Sequence, residues 1–202
     1  MELKIVFFYV VAEFFVDFVS TKTAWGARSS FMLLSIFTII EFVSFTTFLY
    51  LGIANRIIKK TIAGCAILFS IYLIMSFFQT EKDHFDAIQA SGESILIIIF
   101  CIIYLFEQIN KPPDFLVYST PGFWVILGFL IYMSGTLFLF IISDRLALEE
   151  RSKYWQINNF CNIIKNILFS VAFLVSHYSS KHRSIEKPYP DMLENPYENW
   201  KP

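Results

Sequence analysis

"PGFWVILGFLIYMSGTLFLFIIS", residues 121–143, is a run of apolar and small residues without one charged side chain. A helix of this length crosses a hydrocarbon core of roughly 30 Å. Comparable runs recur along the chain, in which hydrophobic residues make up 56% and aromatic residues 19%, a far more apolar composition than that of a water-soluble domain. The sequence therefore predicts an all-α fold, a polytopic bundle of transmembrane helices.

Six spans are predicted from these runs. Short polar stretches separate them, and prolines at positions 112, 113 and 121 mark the break before the fifth. The predicted spans are, approximately, residues 5–21, 31–54, 61–78, 90–109, 121–143 and 154–177, within a bundle of residues 1–178. Residues 179–202 are polar and rich in proline, which predicts an extended or partly disordered cytoplasmic tail.

The distribution of basic residues predicts the orientation. With six spans both ends lie on one side, which carries nine lysines and arginines against six in the opposite loops, leaving out Lys165 within the sixth span. Basic residues favour the cytoplasmic side. We therefore expect a multi-pass protein of a bacterial inner membrane with both termini in the cytoplasm.

Three predicted spans each place a charge near the membrane centre. These charges are Glu13, Glu41 and Lys165. A central charge costs about 2.5–3.5 kcal/mol on the insertion scale, whereas each large apolar residue returns only about 0.3–0.6 kcal/mol. The insertion free energy summed over the first span, which carries both Glu13 and Asp17, is therefore near zero. We expect this span to need neighbouring helices to stay inserted.

The charges lie on polar stripes at helical spacing, which must face protein or water rather than lipid. We expect Lys165 to pair with Glu41, with Glu13 or Asp17 as the next candidates, while asparagines satisfy the remaining donors and acceptors. The predicted intramembrane polar cluster comprises Glu13, Asp17, Glu41, Asn158, Asn162, Lys165 and Asn166.

Two interpretations of this cluster stay open. One is a structural ion pair with an amide network that fixes helix register. The other is a hydrated pocket or proton path. It is favoured by the excess of three carboxyls over one lysine, because at least one of the carboxyls is then expected to keep a proton or meet water.

Three segments carry a family resemblance: "TIIEFVSFTTFLY" (residues 38–50), "GFWVILGFLIYMSGTLFLF" (residues 122–140) and "NNFCNIIKNILFSVAFL" (residues 158–174). Over residues 29–177 the chain resembles small bacterial membrane proteins that look like the seven-helix input modules of signalling proteins. The resemblance implies a sensor that passes its signal to a separate partner. Six spans are counted here where such modules usually have seven.

The motifs of several other function classes do not occur in the sequence. It has no HExxH, GxSxG or glycine-rich phosphate motif, so no enzyme is predicted. In "EKDHFD" His84 lies among acidic residues, but a lone histidine there is more often part of a solvated turn, so neither a metal site nor a cofactor is predicted. The lack of a polybasic block argues against nucleic-acid binding.

The predicted function is that of a non-enzymatic membrane module that senses a ligand or binds a partner. Its expected partners are membrane lipids and a separate membrane or cytoplasmic protein. The alternative is a small transporter or proton-coupled carrier that uses Glu13, Glu41 and Lys165.

Overall fold

A computed structural model describes residues 2–20, 28–79, 87–110, 117–143 and 148–185. Within these ranges the chain forms six α-helices and one 3-10 turn, with no strand, so the predicted all-α class is confirmed. The 3-10 turn at Val117–Ser119 leads into the fifth helix. The helices are α1 (Glu2–Ser20), α2 (Arg28–Gly52), α3 (Arg56–Gln79), α4 (Ala87–Ile109), α5 (Pro121–Ser143) and α6 (Leu148–Ile185).

Five of these helices, α2 to α6, are long and apolar enough to cross a membrane. The stretches that meet this description are Met32–Gly52, Arg56–Phe78, Ile88–Ile109, Pro121–Leu139 and Gln156–Tyr178. The chain is therefore a helical membrane protein. The first predicted span does form a helix, but α1 is not among the five, since Lys4, Glu13 and Asp17 interrupt its apolar sequence. This agrees with the insertion free energy near zero expected for that segment.

Five helices extend beyond their predicted spans, and the extension is largest for α3 and α6. The third span was predicted to start at residue 61, but α3 begins at Arg56 because Asn55 caps it: its Oδ1 accepts the N–H of Ile57 at 2.9 Å. Residues 179–185, predicted as the start of the tail, belong to α6. Hydropathy indicates where a helix leaves the membrane rather than where the helix itself ends. Residues 186–202 and the loop that contains His84 lie outside the described residues.

The helices pack in an order that differs from their order in the chain. The most extensive contact joins α5 to α6, followed by the contact of α5 with α4. α1 packs on α2, and α2 also contacts α3 and α4. Only a light contact between α1 and α6 closes the ring α1–α2–α4–α5–α6, while α3 lies outside it against α2. The first and last helices are therefore neighbours whose backbones approach each other at few points.

Aromatic rings fill the centre of this ring of helices. Phe45 of α2 stacks on Phe129 of α5 with ring centroids 3.7 Å apart, and Phe169 of α6 meets Phe129 edge-on at 5.4 Å. Tyr9 of α1 packs edge-on against Phe45 at 4.7 Å. These contacts place the Tyr9 hydroxyl group at the inner face of the bundle, where it needs a hydrogen-bond partner.

Two glycines let α6 approach α5 closely. A Cβ atom at Gly128 would lie 3.0 Å from Cε1 of Phe169, and one at Gly135 would overlap Sγ of Cys161. Small residues at helix interfaces permit this kind of approach in membranes. The tight α5–α6 contact fixes the rotation of α6, so that Lys165 points toward the centre of the bundle.

Candidate functional site

The amine of Lys165 is the centre of the candidate site. Its side chain is fully buried in α6, and Nζ donates a hydrogen bond to Oε1 of Glu13 at 2.7 Å and another to Oη of Tyr9 at 2.6 Å. Glu13 and Tyr9 lie one turn apart on α1, so a single helix face supplies both acceptors. The ion pair thereby joins the first helix of the chain to the last.

Tyr9 connects this pair to a third helix. Its hydroxyl accepts the hydrogen bond from Lys165 and donates one to Oε1 of Glu41 at 2.6 Å. The chain Lys165–Tyr9–Glu41 therefore runs from α6 through α1 to α2, with all three residues buried. A hydroxyl that both accepts and donates in this way can pass a proton between its two neighbours.

The prediction that Lys165 pairs directly with Glu41 was therefore wrong. Glu13, the next candidate, forms the ion pair, and Glu41 is reached only through Tyr9. The phenol of Tyr9 lies between the amine and the Glu41 carboxyl, because its ring packs inward on Phe45. Tyr9 is on the same sequence stripe as Glu13 and Asp17 but is not in the predicted cluster.

Aromatic faces complete the surroundings of the lysine. Nζ of Lys165 lies 4.1 Å from the ring centroid of Tyr132 on α5, 4.7 Å from that of Tyr9 and 6.0 Å from that of Phe169. A desolvated cation over an aromatic ring gains about 2 kcal/mol or more. The amine is thus held by two hydrogen bonds and by three rings, so it is engaged rather than free to act as a nucleophile.

The remaining members of the predicted cluster form no hydrogen bond with the amine of Lys165. Asp17 is exposed, although it lies close enough to Glu13 and Lys165 for their charges to interact. Nδ2 of Asn166 donates a long 3.5 Å hydrogen bond to Oδ1 of Asn162. Neither these two asparagines nor Asn158 hydrogen-bond to the amine, so the expectation that asparagines would saturate Lys165 was wrong. Tyr9 fills the place that an amide was predicted to take.

A third buried carboxyl, beside those of Glu13 and Glu41, was missed by the sequence analysis. Glu93 of α4 is only 3% exposed, and it lies near enough to Glu41 and Tyr132 for electrostatic interaction. Its span was predicted to begin at residue 90, which placed Glu93 near the membrane surface, where the free-energy cost of a charge is small. The polar run "QASGES", residues 89–94, is the signal that could have identified it.

Several buried acceptors of this region lack a partner. Within the described ranges, six buried side-chain atoms have no hydrogen bond: Glu13 Oε2, Thr46 Oγ1, Glu93 Oε1, Glu107 Oε2, Asn158 Oδ1 and Asn166 Oδ1. Five of the six are carboxyl or amide oxygens, and an amide oxygen or an oxygen of an ionised carboxylate only accepts. The interior of the bundle therefore has more acceptors than donors.

A separate cavity opens at the end of the bundle where α1 begins. It has a volume of about 450 Å³ and is bordered by five helices, α1, α2, α4, α5 and α6. Tyr104 lies across it, with its ring over Gly52 and its hydroxyl over Gly122. The polar residues in its lining are Glu2, Lys4, Tyr104, Gln108, Thr120 and Ser176.

Comparisons with protein-family models, with curated proteins and with solved structures give no match to this chain.

Proposed function

We propose that this chain is a non-enzymatic membrane module that senses a small polar ligand or binds a partner protein, in a bacterial inner membrane with both termini in the cytoplasm. The observation that carries the proposal is the 2.7 Å ion pair between Lys165 and Glu13. It joins α6 to a helix that otherwise packs mainly on α2. A helix joined to a neighbour by a polar link can change position relative to that neighbour when a ligand or partner competes for the link.

The cavity supplies the place where such a ligand would act. Leu3 and Lys4 of α1 border it, and Tyr9 of the same helix, farther from the N-terminus, binds Lys165. An occupant in contact with the first turn of α1 would therefore move the helix that carries the network. The opposite charges of Glu2 and Lys4 favour a small zwitterionic or otherwise polar ligand.

The test is native mass spectrometry of the protein released gently from its own membrane, with the bound species identified. A small molecule that copurifies with the wild type and is lost in Ser176→Phe would support ligand sensing, because Ser176 lines the cavity. The matched control is Ser170→Phe on the exposed side of the same helix, which should keep the molecule. A second polypeptide at fixed stoichiometry would support partner binding. A bare protein in every preparation would overturn the proposal.

A proton-coupled carrier is the second candidate, and the buried Glu93 carboxyl favours it. Glu93 adds a further acid beside Glu41, so the interior has several groups that can exchange protons. Flux into proteoliposomes separates the two functions. In a carrier, Glu41→Gln would abolish the flux that the wild type shows. In a sensor, neither the wild type nor the variant would show flux, and Glu41→Gln would change stability or partner affinity.

A further inference from the structure

The carboxyl of Glu93 has one buried oxygen that receives no hydrogen bond among the described residues. Its Oε1 is buried without a partner, and the residue is 97% enclosed. The hydroxyl of Ser94, its neighbour in sequence, donates instead to the backbone oxygen of Ala90 at 2.8 Å. A buried carboxylate is normally matched by donors or a cation, so an unmatched one needs another explanation.

The helices that pack near Glu93 supply no positive charge. α2 contributes Glu41, another acid, and α5 contributes the phenol of Tyr132. The segment of α3 from residue 61 to 79 has no charged side chain, and its Phe69 ring lies against Gly92. On α4 itself the nearest titratable side chains are Cys101 and Tyr104, both neutral in their ordinary protonated forms.

The one buried cation of the site is already used elsewhere. Lys165 gives its hydrogen bonds to Glu13 and Tyr9, and Glu41 receives the hydroxyl of Tyr9. With Glu13, Glu41 and Glu93 all ionised, the described interior would hold two negative charges beyond the one that Lys165 balances. A low-dielectric interior does not hold two such charges uncompensated.

We propose that Glu93 is a proton-binding site inside the bundle: its carboxylate takes up one proton from water and becomes a neutral carboxylic acid. A proton needs only one oxygen, whereas a metal ion needs several, and the described residues contain no group of three or more metal-ligating acidic, histidine or cysteine side chains. Release of the proton would place a second negative charge beside Glu41. The link Glu41–Tyr9–Lys165 would carry that change to α1 and α6.

This site goes beyond the proposed function, since a module can bind a ligand or partner without it. Failure of the ligand and partner test would leave the proton site standing, and failure of the proton site would leave the sensing proposal standing. The two are tested by different measurements.

The experiment is infrared spectroscopy of the full chain in lipid nanodiscs at neutral pH, in H₂O and in D₂O. The wild type should show the carbonyl stretch of a protonated carboxyl, sensitive to deuterium, and Glu93→Gln should lack it. Glu107→Gln is the matched control on the same helix, and it should keep the band, because the Glu107 carboxylate accepts the backbone N–H groups of Ala54 and Asn55.

Other outcomes decide the question as well. If Glu93→Gln does not fold, Glu93→Asp should shift the band rather than remove it. No band in the wild type, a band unchanged by both Glu93 variants, or a band removed by Glu41→Gln and not by Glu93→Gln would each overturn the proposal. A wild type without the band that melts at higher temperature in sodium than in choline at equal ionic strength would assign the site to a metal cation instead.

Discussion

Nζ of Lys165 lies 2.7 Å from Oε1 of Glu13, although 152 positions separate the two residues in the chain. The contact joins a helix whose composition gives it little tendency to stay in a membrane to a helix that is long and apolar enough to span one. Because the backbones of α1 and α6 approach each other at few points, we expect this pair to contribute strongly to how firmly the first helix closes the bundle.

Lys165→Met is expected to destabilise the protein strongly. The methionine fills the same space but leaves the carboxylates of Glu13 and Glu41 buried without the cation, and breaking a buried ion pair costs about 3–5 kcal/mol. The measurement is the free energy of unfolding in mixed detergent micelles. Lys60→Met, at an exposed position on α3, is the control and should change stability by less than about 0.5 kcal/mol. Equal losses in the two variants would contradict the structure.

A double-mutant cycle should identify the direct partner of the lysine. Lys165→Met combined with Glu13→Gln removes both ends of one ion pair, so the coupling free energy is expected at the upper end of the range of about 0.5–3 kcal/mol seen for contacting residues. The cycle with Glu41→Gln should give a smaller coupling, because Tyr9 stands between the two groups. A larger coupling to Glu41 than to Glu13 would mean that the pairing first predicted from the sequence is correct.

Tyr9→Phe tests the connection between the lysine and Glu41. The variant keeps the ring packed on Phe45 and removes only the hydroxyl that accepts from Lys165 and donates to Glu41. Leaving a buried charged acceptor without its donor costs about 1–3 kcal/mol or more. Tyr72→Phe removes a hydroxyl from an exposed position on α3 and should be close to neutral in the same unfolding measurement. Two indistinguishable variants would show that the hydroxyl of Tyr9 is not part of a coupled network.

That the charges lie at one level of the bundle could be predicted from the sequence, whereas their partners could not. Depth follows from counting residues along an apolar run, and this placed Glu13, Glu41 and Lys165 at one level. The partner depends on how each helix is rotated, which is set by contacts such as that of Gly135 with Cys161 on other faces of the helices. The spacing of Gly128 and Gly135 in the sequence indicates that α5 packs closely on another helix, but it does not identify the residue that each glycine meets.

Glu93 shows why a boundary error can hide a site residue. A charge in the first turns of a span normally lies at the membrane surface and needs no partner. α4 begins at Ala87 rather than at residue 90, and it packs against α2 and α5, so that Glu93 is enclosed instead. The error of a few residues in the predicted boundary changed the expected environment of this carboxyl from water to protein.

The close contact of α5 with α6 predicts a specific pair of glycine effects. A Cβ atom at Gly135 would overlap Sγ of Cys161, so Gly135→Ala must push the two helices apart or displace the thiol. Overpacking of this kind costs about 1–3 kcal/mol. Gly64 on α3 has nothing within 4 Å of an added Cβ, so Gly64→Ala should be neutral or stabilising by up to about 1 kcal/mol through helix propensity.

A second substitution shows whether the overlap itself is the cause. Cys161→Ala removes the thiol that the new methyl group would meet, so the double variant Gly135→Ala with Cys161→Ala should recover most of the stability lost in Gly135→Ala. Because Lys165 follows Cys161 by one turn on α6, the same displacement should also weaken the ion pair with Glu13. The coupling between Lys165 and Glu13 is therefore expected to fall in a Gly135→Ala background and to return in the double variant. If stability falls in Gly135→Ala while the coupling between Lys165 and Glu13 stays unchanged, the α5–α6 contact and the charge network are energetically independent.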